Sequence, residues 1–489
     1  MNSLLGLGLE DLANPYNIGQ LMKALDTNAL TDEATLTGGA AFRVQSLDNL
    51  MQNTTFGDTD FQFWPRLKIR PVKGVLDQYV VRSAYGNGFN FAPQGMNPIA
   101  GSGVYKRKTL DIKFALTYRS LTHVLSTMDA TGGNIVNARA AEEKAGAMDL
   151  AATIERACFF GDSACSPNEF DGLLTWAANN GDGRTIQDMN ATPLSSLQPF
   201  YRAGGIQASN AGRLTDFYLD TYSKMDFDLA WQTAFRFGQL SPDAPLTAGA
   251  AVGKLNTSAG TVDLRADLFL NPERGFINPE DDANTDPYWQ ASSTSRGGDA
   301  NNPVPAVPTG VTVTATGAGG NGTNMPSGGY YVTACSKSYK GESAAHAAVH
   351  VTGLTAGQHM AWSITTSDAT VECFRLFKSA VNGPDTDMRY FATIPCAGPT
   401  TTYIDTGADI PGTTIAFGTD QRPDEVGAVD MDQLLGQTKL MLAIITPNMP
   451  WLQLQYLAMR VTKPKRIQVI KNILPSALRE MGWNPLGAS

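Results

Sequence analysis

The chain has 489 residues, 42% hydrophobic and 17% charged, which excludes a disordered protein and predicts about three compact units of about 150 residues each. Because so few side chains are charged, we expect large interfaces with other chains. The net charge of −9 and the isoelectric point near 5.1 oppose general nucleic-acid binding, since neutralising phosphates requires a surplus of lysine and arginine.

The cysteines and the first residues indicate the compartment. Five cysteines, without a Cys-x-x-Cys pair, are typical of a reducing environment. The start MNSLLGLGLEDL lacks a basic segment, and Glu10 and Asp11 come too early for a signal peptide. The most apolar run, residues 440–445, is much shorter than the ~20 residues that cross a bilayer. We therefore expect a cytosolic, soluble product without membrane contact.

The first part of the chain predicts an arm followed by strands. Residues 1–60 are weakly amphipathic, and Pro15 and Gly19 interrupt their helical spacing of leucines. From Phe61 onwards apolar residues recur with a period of two, which is typical of β-strands.

The stretch YGNGFNFAPQGMNPIAGSGVYKRK, residues 85–108, connects strand patterns at residues 74–83 and 110–120. A hairpin normally turns in two to five residues, so a connection of roughly twenty predicts a long two-stranded arm with an irregular tip. An isolated hairpin is marginally stable in water, so the arm needs a surface, for which another subunit is the candidate. Phosphate binding is the alternative, although the glycines lack the spacings of the known phosphate-binding loops.

Helical and strand patterns alternate in the middle of the chain. After Gly132-Gly133-Asn134, alanines recur at helical spacing and predict a long helix that stops at Gly161. Residues 215–231 predict another helix, and residues 261–272 predict a strand.

A change of composition marks an inserted domain. From residue 301 to about residue 418 the chain is rich in Thr, Gly, Ala and Ser, and regularly spaced strand patterns predict a β-sandwich of roughly seven strands. Three apolar strand patterns follow, TKLMLAIITP, WLQLQYLAMRV and KRIQVIKNI, without partners nearby in the sequence. The sandwich therefore interrupts a host domain.

Searches for reactive groups find no catalytic or metal-binding constellation. GAAVGKLNTS resembles a P-loop, but it is one residue short, and Leu255 replaces the magnesium-binding hydroxyl residue. His346 and His350 lack the remaining ligands of a zinc site, and Pro287 stands where a calcium loop needs glycine. We expect no enzymatic activity, no cofactor and no metal.

The order of these elements, with ACFFGD at the end of the long helix and EFDGLL at residues 169–174, resembles the major capsid proteins of tailed bacteriophages. This resemblance implies the α+β Hong Kong 97-like fold with a fibronectin type III or immunoglobulin-like insertion. It implies this organisation: N-terminal arm, 1–60; extended two-stranded loop, 61–120; peripheral domain, 121–170 and 461–489, with a spine helix at 133–161; axial domain, 171–302 and 419–460; insertion, 303–418.

The same resemblance implies a function. The chain would self-assemble into pentamers and hexamers of an icosahedral head that encloses double-stranded DNA without sequence-specific binding. It would assemble in the bacterial host cytoplasm with scaffolding, portal and decoration proteins as partners, become part of the virion, and display the insertion on the outer surface. An encapsulin-type nanocompartment shell and a cell-surface adhesin remain as alternatives.

The arm provides the candidate intersubunit contacts. Its aromatic residues would be buried anchors, and its basic residues would meet acidic side chains, for which the long helix offers two carboxylates. The predicted contact residues are Phe89, Phe91, Lys106, Arg107, Lys108, Glu142 and Glu143.

Overall fold

The computed structural model describes residues 58–86, 91–96, 101–131, 137–181, 183–235, 251–257, 260–270, 290–317, 325–355, 357–422, 427–444 and 447–487. Several predicted features lie wholly or partly outside the described residues: the arm at 1–57, Phe89, helix residues 133–136, and the loop with Pro287. Residues 53–123 and 139–489 belong to one compact unit, and residues 124–138 belong to a second.

The described helices follow local sequence signals in most places. Alanine, the best helix former, is frequent in the 23-residue helix that contains Glu142 and Glu143. The helices are α1 (His123–Thr131), α2 (Ala138–Phe160), α3 (Leu173–Asn180), α4 (Gln198–Ser209), α5 (Thr221–Phe235) and α6 (Ser476–Glu480).

The prediction of a helix at residues 215–231 is wrong in its first part. Residues Asp216–Asp220 form a fully buried strand, and helix α5 begins only at Thr221. The Asp220 carboxylate accepts hydrogen bonds from the backbone N–H groups of Tyr222 and Ser223 at 3.1 and 3.2 Å. Asp220 therefore caps the helix, while pairing with two neighbouring strands outweighs the helical spacing before it.

A four-stranded sheet packs against helix α2. It has the order β1–β19–β20–β4 and is antiparallel except for the β1–β19 pair. We call it the spine sheet. Its strands are β1 (Ile69–Pro71), β4 (Lys113–Thr122), β19 (Val429–Met441) and β20 (Asn448–Val461).

A six-stranded mixed sheet carries helices α4 and α5, whose Phe200 and Phe227 share its core with Phe217. In spatial order its strands are β5 (Ile186–Thr192), β21 (Gln468–Ile473), β18 (Thr414–Thr419), β6 (Asp216–Asp220), β8 (Gly260–Asp267) and β7 (Lys254–Thr257).

The strand pairing corrects two predicted groupings. Residues 419–460 were assigned with 171–302, but β19 and β20 pair with each other and with β1 and β4. Residues 461–489 were assigned with 121–170, but β21 pairs with β5 and β18. The strands β19 and β20 are each other's partners, because consecutive antiparallel strands pair readily.

The described residues between 296 and 405 form two sheets around one hydrophobic core. Trp362 on the smaller sheet and Phe374 on the larger sheet are both fully buried in this core. The predicted insertion boundary at residue 418 falls within β18, which belongs to the six-stranded sheet. The smaller sheet has β10 (Gly310–Thr316), β14 (His359–Thr365) and β17 (Thr400–Asp405); the larger has β9 (Arg296–Gly297), β11 (Gly328–Ser338), β12 (Gly341–Glu342), β13 (Val349–Leu354), β15 (Cys373–Ser379) and β16 (Met388–Pro395).

A buried carboxylate on α2 anchors the segment that precedes the spine sheet. Glu155 is fully buried, and it accepts hydrogen bonds from the backbone N–H groups of Gln62, Phe63 and Trp64 at 3.0, 2.7 and 2.7 Å. Burial, together with the charge of Glu155, raises the pKa of the adjacent Asp267 well above its ordinary value. A protonated Asp267 can therefore donate a hydrogen bond to Glu155.

Replacing Glu155 tests this anchor. Glu155→Ala leaves three backbone donors without their acceptor, and we expect the free energy of unfolding to fall by roughly 3 kcal/mol or more, measured by urea denaturation. Glu155→Gln keeps one acceptor oxygen and should cost less. Equal losses in the two variants would contradict the assignment.

Candidate assembly surfaces

The predicted arm is present as an antiparallel pair, β2 (Leu76–Ala84) and β3 (Val104–Asp111). Its base is attached to the body of the chain. Tyr79 is buried, Leu110 packs against the main core, and the Lys108 ammonium lies 5.9 Å from the ring centroid of Trp176. These contacts fix the end of the arm from which the rest extends.

The outer part of the arm exposes apolar side chains. Val80, Tyr85, Phe91 and Tyr105 are all exposed, and Phe91 is fully so. The Arg82 guanidinium lies 5.0 Å from the Tyr85 ring centroid and 5.9 Å from that of Tyr105. Clustered exposed aromatic residues mark a surface that binds another molecule.

The basic triplet lies in strand β3 and not in the irregular tip. Lys106 pairs with Val81, Arg107 with Val80, and Lys108 with Tyr79. Because side chains alternate along a strand, Arg107 points to the opposite side from Lys106 and Lys108. The three basic side chains therefore lie on two sides of the arm, and their contacts between subunits stay a prediction.

The predicted acidic partners already meet basic groups of their own chain. Glu142 forms an ion pair with Arg119 at 3.8 Å. Glu143 pairs with Arg139 at 3.0 Å and hydrogen-bonds to Lys439, and these two cations lower the pKa of the Glu143 carboxyl. The structure does not bring these carboxylates to the arm of the same chain, and their role between subunits stays a prediction.

Polar contacts hold helix α2 on one face of the spine sheet. The Thr117 hydroxyl and the Arg119 guanidinium donate hydrogen bonds to the Asp149 carboxylate at 3.3 and 3.2 Å. The Gln453 amide donates to the Glu143 carbonyl at 2.8 Å. At Gly146 a Cβ would lie 2.9 Å from the Gln453 side-chain oxygen, so the absence of a side chain there allows the helix to approach closely.

The opposite face of the spine sheet is apolar and partly exposed. Its members lie opposite one another across three strands, and directly opposed residues of antiparallel strands share a face. The rings of Phe114 and Tyr456 meet edge to face with centroids 4.7 Å apart. We call this surface the apolar sheet face, and its residues are Phe114, Leu116, Tyr118, Leu440, Leu452 and Tyr456.

Sequence reasoning did not identify the apolar sheet face as a surface. The alternation along residues 110–120 predicts a strand with one apolar side, and such a side is usually assumed to face the core. In the structure the polar side of β4 contacts α2, while Phe114, Leu116 and Tyr118 are exposed. The alternation in the sequence shows that the strand has an apolar side, but whether this side faces the core or the solvent depends on which side the helix packs against.

A cleft of about 590 Å³ lies between the two-sheet region and the host strands. Lys337 and Lys471 line it, but they form ion pairs with Glu169 at 3.2 Å and Asp409 at 2.9 Å. These pairs leave the two lysines committed to structural contacts.

The described residues contain no cluster of His, Cys, Asp and Glu side chains that could hold a metal ion. The ring of His350 stacks on Tyr331 with centroids 4.4 Å apart, and His346 Nδ1 lies 2.8 Å from the Ala347 carbonyl oxygen. Within the described ranges no helix has the length and hydrophobicity to cross a membrane.

No protein-family model and no curated protein matches the chain. Solved structures of shell proteins are similar to it. The capsid of a native GTA particle is 9% identical, with a TM-score of 0.45, covering 91% of this chain and 99% of that chain. The capsid of cyanophage P-SCSP1u is 9% identical, with a TM-score of 0.45, and the match covers 90% of this chain and 96% of that chain. The SrpI encapsulin of Synechococcus elongatus is 9% identical, with a TM-score of 0.35, and the match covers 91% of this chain and 96% of that chain.

A leucine-to-lysine pair of variants tests the apolar sheet face. Leu116 on this face is 54% exposed, and Leu229 on helix α5 is 56% exposed. We expect Leu116→Lys to reduce self-association by at least tenfold, because a charge would be buried at the contact, and Leu229→Lys to have little effect. Sedimentation velocity measures both, and equal behaviour of the two variants would argue against this face.

Proposed function

We propose that the chain is the major capsid protein of a tailed bacteriophage, which assembles into pentamers and hexamers of a closed shell around double-stranded DNA. One observation carries the proposal: a single chain has an arm and a sheet face that both expose apolar residues. When the arm of one copy binds a different surface on the next, the contact is heterologous, and it generates rings where the rotation between copies closes. Pentamers and hexamers are such rings.

The remaining properties agree with this function. The net charge of −9 limits adhesion to the enclosed DNA, because such binding relies on neutralising phosphates. The spine sheet with α2 forms the peripheral part, and the six-stranded sheet with α4 and α5 forms the axial part. Separate scaffolding, portal and decoration proteins are the expected partners, the cytoplasm of the bacterial host is the site of assembly, and the virion is the destination.

Shortening the arm tests the proposal. Arg82 pairs with Tyr105, so residues 83–104 can be replaced by Asn-Gly without disturbing the pairing nearer the base. We expect the variant to fold with unchanged circular dichroism but to form no capsomers or shells in negative-stain electron microscopy. Its control is Leu229→Lys in a chain with the full-length arm, which changes one exposed side chain outside the arm and should leave shell formation intact.

The result distinguishes the proposal from its alternatives. Normal shells from the shortened arm would contradict arm-mediated assembly. Shells that contain a protein cargo and no DNA when purified from an infected host would identify an encapsulin-type compartment, which uses the same subunit contacts. A chain that remains monomeric with its scaffolding protein present would favour an adhesin or another binding protein.

The two-sheet region is proposed to be a fibronectin type III or immunoglobulin-like insertion on the outer surface of the shell. Two sheets around one core and fully buried Trp362 support this assignment. Its strands are short and antiparallel, as such domains require. An outward position would leave the host strands free to make the shell wall.

Cysteine labelling tests the outward position. Ile404 on β17 is exposed, whereas Cys158, Cys165, Cys335 and Cys373 are buried. We expect Ile404→Cys to react in intact shells with a maleimide attached to a polymer too large to enter, well above the background of unmodified shells. Labelling that occurs only after the shells are opened would place the region inside.

A further inference from the structure

Two carboxyl groups meet where the base of the arm rests on the spine sheet. Asp432 lies on β19 and is fully buried. Asp77 lies on β2, and its carboxyl group is within hydrogen-bonding reach of Asp432. Among the described residues, neither Asp432 carboxylate oxygen accepts a hydrogen bond from an N–H or O–H group. The two carboxyl groups can therefore bond to each other only when one of them holds a proton.

The surrounding charges compensate this pair only in part. The Arg460 guanidinium donates to the Asp430 carboxylate at 2.6 Å, while its Nε remains 3.9 Å from Asp432. The same guanidinium lies 5.2 Å from the ring centroid of Tyr79 on the arm. Arg460 thus makes its closest contact with Asp430, and its positive charge is shared among Asp430, Asp432 and Tyr79.

Charged groups on the other neighbouring elements offset the carboxyl charges only in part. Arg70 on β1 acts on both Asp430 and Asp432, and Lys68 and Lys463 act on Asp430. Tyr79 stays neutral, because burial and the two carboxylates raise the pKa of its hydroxyl to about 12. A second negative charge at Asp77 and Asp432 would therefore repel the first where Asp432 is fully buried.

We propose that Asp77 and Asp432 form a proton-dependent latch, which holds the base of the arm firmly on the spine sheet when the two carboxyl groups share a proton and loosens it when both are ionised. The latch is a property of the free subunit, and only its consequence for assembly rests on the proposed function. The other contacts of the base, at Tyr79, Leu110 and Lys108, keep the arm attached in both states.

The direction of the pH dependence follows from the proton balance. Burial, and then the charge of Asp77, raise the pKa of Asp432 to about 7, above the ordinary value of about 3.9 for an exposed aspartate. The firmly held base therefore keeps a proton that the loosened base releases. Docking is strongest at acid pH, weakens as pH rises towards 7, and changes little above that value.

Hydrogen exchange of the full-length subunit, in dilution that keeps it unassembled, measures the latch. We expect the protection of the amides in β2 and β3, corrected for intrinsic exchange, to fall roughly tenfold per pH unit between pH 5 and pH 7 and then to level off. Asp432→Asn should remove this dependence, because the amide can donate to Asp77 at any pH. Asp149→Asn, on the other face of the sheet, should leave it unchanged.

Two outcomes would overturn the proposal. One is arm protection that does not vary with pH in the unmodified chain, and the other is an Asp432→Asn variant that retains the same pH dependence. If Asp432→Asn fails to fold, Asp77→Asn at the half-buried partner position makes the same comparison. Because the measurement needs no shells, failure of the latch and failure of the proposed function give separate results.

Discussion

The packing of helix α2 on one face of the spine sheet determines which surfaces the rest of the chain can offer to other molecules. The helix packs through polar contacts, such as those of Asp149 with Thr117 and Arg119. It therefore does not cover the apolar side of β4. That side is left to face outward, and the base of the arm covers only the part near Arg460 and Tyr79. An exposed apolar sheet is costly in water, and burial against another chain removes this cost.

Much of the fold could be predicted from periodicity, because α2, the arm strands and the strands of the two-sheet region each show their period locally. The failures share a cause, which is that partners distant in sequence decided the outcome. The run Asp216–Asp220 is a strand because β8 and β18 lie on either side of it. Of the predicted contact residues, Phe91 is exposed, whereas Lys108 and Glu143 are already engaged within the chain. Their roles between subunits stay predictions. The apolar sheet face could not be recognised, since alternation reveals an apolar side but not whether anything covers it.

The two-sheet region is held to the host by more than its chain connections. Ser166 and Lys337 link the two parts through hydrogen bonds to Glu372 and Glu169 at 3.0 and 3.2 Å. On the other side the Arg389 guanidinium lies 4.4 Å from the ring centroid of Trp483. Gly412 has φ +65°, and a Cβ there would lie 2.6 Å from the Trp483 ring nitrogen, so only glycine fits this junction. Contacts on two sides oppose free rotation of the two-sheet region relative to the host strands.

A fixed arm base affects assembly through entropy as well as through contacts. An arm held in one direction loses less conformational freedom when its tip binds a neighbour, and preorganisation of this kind strengthens association without adding any contact. An arm with a loosened base loses more conformational entropy when its tip binds, so its association is weaker. In a ring, the effect is repeated in every subunit. If each of six contacts weakens about tenfold, the equilibrium constant of the ring falls about a million-fold. A single shared proton per subunit would then have a far larger effect on a closed ring than on a free subunit.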